Sequence, residues 1–518
     1  MQRRSLLPVL ALLAACADTP TETAIPPTAE APADEIVDCA LQNNNTVEKL
    51  TACVTLDGVR AHQAAFQAIA DANGGVRTPG LPGGVATEAY IEDVLTQAGY
   101  DVTLVPFSYR LSYPLGPSTL HQTAPAPTTY TYEDDFQTFG DSTAGTASGQ
   151  VVPVDLDLGL ANASTSGCEI EDFVGFPPGS IALLQRGACF FRDKAENAAA
   201  AGAAAVIIFN QGNNSDRLGL INGGVTEAYQ GGIPVLDATY ALGVELSAGV
   251  SVSLFANRFD QDVTSNTVIA ESSSGADDNV VLASSQGGLS TASPTINLAG
   301  SGDAVLLEVA RQMRRTKPRN KVRFAFFLAG FQQREAYLDQ LVDDDELRHI
   351  ALALDFEALG SPNYANFVYD GDGSDTGSPG PDGSEAIEAL FRDFYANRGQ
   401  ESEDSEFTPS AAFYFGARGL PTGGISGGLF RIKTPEQAAL YGGVAGEQFD
   451  PCFDLACDTF DNVSLEALDV NSDAAATAIL TYAMSTESVN GRKGKGNFGT
   501  PNGPPEDRGM PEEEGVTR

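Results

Sequence analysis

The sequence predicts an α/β fold, and three observations carry that prediction. From about residue 57 to about residue 485, short apolar β-branched runs alternate with amphipathic segments of helical period, the pattern of strands and helices stacked in layers. The length of 518 residues suffices for two to four domains of ordinary size, and a hydrophobic content of 42% is ample for buried cores. Against 30 Lys and Arg stand 69 Asp and Glu, so the net charge of -39 excludes nucleic acid or anionic lipid as a partner recognised through bulk electrostatics.

The leader comes first. Arg3 and Arg4 form a positive region, Ser5 to Ala15 an apolar stretch too short to span a bilayer, and Leu13-Ala14-Ala15-Cys16 ends it on small residues before a cysteine. This resembles a bacterial lipoprotein signal, which implies cleavage before Cys16 and lipid acylation of that residue, anchoring the chain without a transmembrane helix. An ordinary secretory peptide is the alternative reading, and the paired arginines leave twin-arginine export open. Ala17 is not an acidic retention signal, so the expected place is the cell envelope, the outer membrane if the cell is diderm, or the extracellular space.

An oxidising compartment favours disulfides, and the six cysteines beyond Cys16 fall into three local pairs: Cys39 with Cys53, Cys168 with Cys189, and Cys452 with Cys457. A zinc cluster is the rival, but these pairs lie far apart along the chain with no histidine beside them. Residues 17–37 are rich in Pro, Thr and acids and read as a tether, and residues 486–518, rich in Gly, Pro and charge, as a disordered tail. Acids and bases nearly cancel in that tail, so the negative charge belongs to the folded part.

Val59 to Gly75 has helical period and a Gly-Gly stop, and ATEAYIEDVLTQAGYDVTLVPF reads as helix then strand. His62 on the first helix reads as an exposed residue; His121 lies in a Pro-rich stretch and His349 follows an acidic run, so no two histidines share a motif-like spacing. From about Tyr130 the composition shifts to strands and small residues. SIALLQRGACFFRDKAENAAAAGAAAVIIFN (Ser180 to Asn210) and GGIPVLDAT resemble the protease-associated domain, a β-rich insert that carries no chemistry in related proteins and is implied to shape access or contact partners. AENAAAAGAAA itself reads as a helix whose small side chains allow close packing between two buried strands.

The rest of the chain carries long matches. They include NLAGSGDAVLLEVARQM, NKVRFAFFLAG, ALDFEALGSPNYANFVYDGDGSD, IKTPEQAALYGGVAGEQFDPC and ACDTFDNVSLEALDVNSDAAATAILTYA. With these the chain resembles the two-zinc exopeptidase family of aminopeptidase Y and bacterial leucyl aminopeptidases. The resemblance implies a three-layer α/β/α domain with a mixed sheet, split as 38–129 and 263–485 around an insert at 130–262. It places the site beyond the carboxyl ends of the strands, where open α/β sheets hold ligands.

The family's chemistry needs paired zinc ions held by histidines and carboxylates, with a Glu as general base. At the matched positions this chain has Gln286 and Gly288 for a His-x-Asp, and Leu298 for the bridging Asp. Gly330 and Phe331 stand for the Glu-Glu pair, Glu357 for a ligand Asp, and Phe453 and Asp454 for a Tyr-His. A glycine, a leucine and phenylalanines neither ligate a metal nor move a proton, and Phe453 lacks a hydroxyl for an oxyanion. The expectation is therefore a pseudo-peptidase with no catalytic residues, no cofactor and no metal, Glu357 and Asp454 being weak metal candidates; zinc would be required for activity.

The cleft, lined now by Leu298, Phe331 and Phe453, either accepts a peptide or protein or is filled core. Two alternatives stay open, a working aminopeptidase with unconventional ligands such as Glu357 and Asp454, and a structural envelope protein. Asp469 and Asp473 match acids that bind a structural calcium in some members, although Asp473 also suits the start of the helix AAATAILTYA. The run Asp370, Asp372, Ser374, Asp375 looks calcium-like, but Asp375 and Pro381 break the EF-hand pattern, and a solvated turn is expected. Nothing indicates a Ser-His-Asp arrangement, a phosphate loop or a thiol nucleophile.

Overall fold

The computed structural model describes residues 39–159, 161–226, 229–407 and 412–491. Cys16, the signal, the 17–37 tether and residues 492–518 of the expected tail lie outside the described residues, whereas Thr486 is buried and Glu487–Asn490 is a short helix, so ordered chain runs past the expected boundary at 485. Among the described residues no helix is long and apolar enough to cross a membrane.

Two eight-stranded mixed sheets organise the chain. The first runs in the order Asp101–Pro114, Arg258–Glu271, Asn320–Phe327, Ala276–Gln286, Ile350–Glu357, Thr422–Ser426, Phe367–Tyr369 and Glu403–Ser405. Its centre, from Asn320–Phe327 to Thr422–Ser426, is parallel. Those strands are apolar on both faces, as a sheet covered twice requires. Val281, Ala283, Phe324, Phe326, Leu352 and Leu354 meet the helices Leu56–Ala72, Pro82–Gln97, Gly300–Met313, Ser384–Ala396 and Leu465–Met484. Val280, Leu282, Ala325, Phe327 and Ala353, on the alternate positions, meet Tyr337, Leu338 and Leu341 of the helix Gly330–Asp343 and Phe415 of Ala412–Ala417. The expected three-layer α/β/α domain is thus present.

The helix expected from Val59 begins earlier, at Leu56, because Thr55 accepts a hydrogen bond from the Gly58 N–H and supplies the cap. His62 is not exposed: it is buried, with Nδ1 2.7 Å from the Tyr90 hydroxyl and Nε2 3.4 Å from Glu308 Oε2. Helix Gly300–Met313 lies hard against the sheet, since a Cβ on Gly302 would come 2.2 Å from the Phe356 carbonyl oxygen.

Strands Asp101–Pro114 and Arg258–Glu271 form a long antiparallel ribbon, with Asp101 opposite Glu271 and Pro114 opposite Arg258. The second sheet hangs from the end of this ribbon. It runs Thr128–Thr129, Thr119–Ala124, Ser251–Ala256, Gly145–Pro153, Ile181–Gln185, Ala205–Phe209, Val235–Ala238, Phe136–Thr138. It thus takes in strands ahead of residue 130, while Arg258–Glu271 already belongs to the first sheet, so the sheets divide the chain earlier than 130 and 262 at the two ends. The helix expected in AENAAAAGAAA is Phe191–Ala200, whose Ala195 and Ala198 pack on Ala182, Leu184, Val206 and Ile208. The three expected disulfides, Cys39–Cys53, Cys168–Cys189 and Cys452–Cys457, are formed.

Candidate active-site cleft

The parallel strands end together, and this is where the chain brings the matched residues. Gln286 pairs in register with Phe327, Ser285 with Phe356, and Glu357 with Ser426, so one row of residues crosses the carboxyl edge of the sheet. Gln286 is buried, and its Oε1 has no hydrogen-bond partner. The chain then turns to Gly288, where a Cβ would meet Leu298 Cδ2 at 3.3 Å. Leu298 therefore takes up the space into which a side chain at 288 would grow.

Leu298 is pinned from two sides. Its N–H donates to Asp458 Oδ2 at 3.2 Å, and its carbonyl accepts the Ala358 N–H at 3.2 Å, next to Glu357. Asn297 adds to this frame, donating its N–H to Asp458 Oδ1 at 2.7 Å and its Nδ2 to Asp450 Oδ2 at 2.7 Å. Both aspartates flank the loop closed by Cys452–Cys457, which carries Phe453 and Asp454, and Asp454 takes a left-handed φ of 56°. Gly330 opens the helix Gly330–Asp343 with φ 76°, a conformation that favours glycine. Phe331 is stacked on Tyr414 with centroids 5.3 Å apart, and Phe453 packs on Phe430 at 5.3 Å. The expected apolar lining is thus partly engaged by neighbouring aromatic rings.

Glu357 ends its strand buried, with Oε1 accepting from the Tyr369 hydroxyl at 3.3 Å. Burial, and then the charge of Asp355, push its carboxyl up to about 7, against the opposing pull of Arg334. Arg334 is fully buried and donates Nη2 to Asp355 Oδ1 at 2.8 Å, with its guanidinium over the rings of Phe327 and Phe415. Asp458 is likewise pushed up to about 7 by burial, with Asp450 adding to the rise, and burial raises Asp303, bonded to the Ser285 hydroxyl at 2.6 Å, to about 6. Buried acids thus crowd beneath the cleft, and burial raises the pKa of each.

These donors do not fit a paired zinc centre. Of the eight matched residues, Glu357 and Asp454 carry carboxylates, Gln286 an amide, and Gly288, Leu298, Gly330, Phe331 and Phe453 no side-chain donor at all. Among the described residues one group of three His, Cys, Asp or Glu side chains brings its donor atoms near enough to share an ion, and it is Asp370, Asp372 and Glu388, not the matched residues.

Asp469 and Asp473 lie on successive turns of Leu465–Met484, and Asp473 Oδ2 accepts from Arg398 Nη2 at 2.9 Å. The expected role of Asp473 at a helix N-terminus is corrected: the helix starts at Leu465 with Ser464 as its cap, because the whole segment has an apolar face to bury. The sequence reading missed Arg334, Asp355, Tyr369 and Asp458. The signal for Arg334 was available, since it falls in helical step with Tyr337, Leu338 and Leu341 on the apolar stripe.

An α/β/α sheet with these positions at its strand ends, and a second α/β module on its edge ribbon, defines the aminopeptidase class of fold. Residues 267–479 match Peptidase family M28, and residues 147–246 match the PA domain. An aminopeptidase of Pseudomonas aeruginosa is 43% identical over 447 residues, covering 85% of this chain and 83% of that protein. A probable lipoprotein aminopeptidase, LpqL, of Mycobacterium tuberculosis is 33% identical, covering 85% and 87%. Among solved structures, the aminopeptidase from Aneurinibacillus sp. strain AM-1 superposes with a TM-score of 0.58 at 22% identity, covering 87% of this chain and 97% of that one. A zinc aminopeptidase from Bacillus subtilis gives 0.55 at 21%, covering 83% and 95%. The chain belongs to peptidase family M28, with a PA domain inserted.

Proposed function

We propose that this chain is a non-catalytic member of its family, which uses the former active-site cleft and the PA domain to bind peptide or protein. The observation that carries the reading is Leu298. At the position matched to the bridging carboxylate it offers a hydrocarbon, it fills the space beside Gly288, and backbone hydrogen bonds from both sides hold it there. No proton acceptor stands at Gly330, and the buried carboxyl among the matched positions, Glu357, is held partly neutral by its surroundings. The same reading extends to lipid anchoring through Cys16, supported by the signal pattern and by the lipoprotein name of the mycobacterial relative.

A working metallo-aminopeptidase is the second reading, and the specific observation for it is that relatives at this level of identity are called aminopeptidases. Metal analysis of the purified protein together with hydrolysis of aminoacyl p-nitroanilides separates the two. The proposal expects no stoichiometric zinc and no turnover; zinc bound at one or two equivalents, with turnover lost in Glu357→Ala, overturns it. Binding is tested with a peptide library, where retention weakened by Leu298→Trp supports the cleft as the binding surface.

A further inference from the structure

The turn between the strand Phe367–Tyr369 and the helix Ser384–Ala396 is solvated at Asp372, Ser374 and Asp375, as its sequence suggests, but its first residue is not. Asp370 is fully buried. Its Oδ2 accepts the N–H groups of Asp375 at 3.2 Å and Thr376 at 2.7 Å, but its Oδ1 is buried with no hydrogen-bond partner. A carboxylate oxygen stripped of water and left unpaired is costly, and native proteins rarely keep one without a ligand or a partner.

The surroundings supply what such a ligand needs. Glu388, also buried, reaches back from the following helix, and its Oε2 accepts the Asp372 N–H at 3.1 Å. One carboxylate oxygen each from Asp370, Asp372 and Glu388 lies within 4.8 Å of the other two. Oxygens around a calcium ion sit about 2.3–2.6 Å from it, so opposite ligands are at most about 5 Å apart and the three fit one coordination sphere. The position that an EF-hand fills with Glu is Pro381 here, and Glu388 comes in from the next helix instead.

Charge points the same way. Arg392 Nη1 lies 3.1 Å from Glu388, 2.7 Å from Asp404 and 3.7 Å from Asp375, one guanidinium among several carboxylates.

We propose that Asp370, Asp372 and Glu388 bind one calcium ion, a site separate from the cleft and independent of whether the cleft is catalytic. The ion fastens the turn to the helix Ser384–Ala396 directly after Tyr369, whose hydroxyl holds Glu357. The test uses the full chain stripped with a chelator and titrated with calcium chloride by calorimetry, with melting temperature as a second readout. One equivalent is expected to bind and to raise the melting temperature. Asp372→Asn, which alters an exposed side chain and leaves the fold intact, weakens binding about tenfold or more, as does Glu388→Gln. Asp473→Asn binds calcium like the unaltered protein. Failure to bind millimolar calcium, unchanged affinity in both Asp372→Asn and Glu388→Gln, or loss of binding in Asp473→Asn overturns the proposal.

Discussion

Arg334 and Asp355 form an ion pair of 2.8 Å in which neither side chain reaches solvent. Asp355 Oδ1 also accepts from the Ser284 hydroxyl at 2.8 Å, while Arg334 Nε and Nη1 have no hydrogen-bond partner and face the rings of Phe327 and Phe415. The pair lies beneath Glu357 and acts on it from both sides, since Asp355 raises its carboxyl and Arg334 lowers it. It links the floor of the cleft to the helix that begins at Gly330.

Removing one member of this pair strands the other. Arg334→Leu leaves the Asp355 carboxylate uncompensated in the core and is expected to cost about 3–5 kcal/mol, whereas Arg334→Leu with Asp355→Asn recovers most of that loss. Urea unfolding of the two variants checks this. Equal destabilisation in both would show that the charges are not coupled.

Stability should fall as pH rises through neutrality. Glu357 and Asp458 are pushed up to about 7 and Asp303 to about 6, in each case first by burial. A carboxyl whose folded pKa lies above its unfolded value keeps its proton longer in the fold, so its contribution is complete below the unfolded value of about 4 and is lost as pH rises through about 6–7. The melting temperature is therefore expected to drop between about pH 5 and pH 8. Glu357→Gln removes one share of the drop: it should be more stable than the unaltered protein by about 1–3 kcal/mol at pH 8 and nearly equal to it at pH 4. A variant equally destabilised at both pH values would mean that Glu357 is not held above its ordinary range.

The disulfide Cys168–Cys189 closes a loop with a sequence separation of 21, and Lys194 reinforces it by donating Nζ to the Ser166 carbonyl at 2.5 Å. Replacing both cysteines by serine is expected to cost about 3 kcal/mol, confined to the PA domain. A melting transition that shifts for residues 147–246 but not for the peptidase-like sheet, followed by hydrogen exchange, is the outcome that fits.

How much of this was legible in the sequence depends on whether a residue's partner is near in the chain. The central strands and the helices between them follow from period and caps, and the disulfides from local pairing. The short strand Thr119–Ala124 does not announce itself, because its pairing with Ser251–Ala256 is remote and every side chain but Leu120 is polar or exposed. His62 reads as exposed for the same reason: what buries it is Glu308, on another helix. Asp355 in the buried strand Ile350–Glu357 and Arg334 on an apolar helix face are each improbable alone, and only their meeting across the fold explains both. The matched cleft positions were legible because each lies close to a long matching stretch, although the packing of Leu298 against Gly288 was not.

That packing makes a simple return to the ancestral donors unproductive. A Cβ at 288 would stand 3.3 Å from Leu298 Cδ2, so Gly288→Asp alone forces Leu298 aside. Leu298→Asp alone adds a carboxylate near Asp458, whose own carboxyl burial already pushes up to about 7. A Cβ at 330 meets no atom closer than 3.8 Å, but Gly330→Glu forces a side chain onto a backbone with φ 76°, costing about 1–2 kcal/mol. Each single variant is expected to lose about 1–3 kcal/mol of stability and to bind no stoichiometric zinc, because one restored donor still leaves the others missing. Melting temperatures and metal analysis after dialysis against zinc decide the point. One equivalent of zinc retained by Leu298→Asp would mean that Glu357, Asp454 and Asp458 already form most of a metal site, and the pseudo-peptidase reading would have to be abandoned.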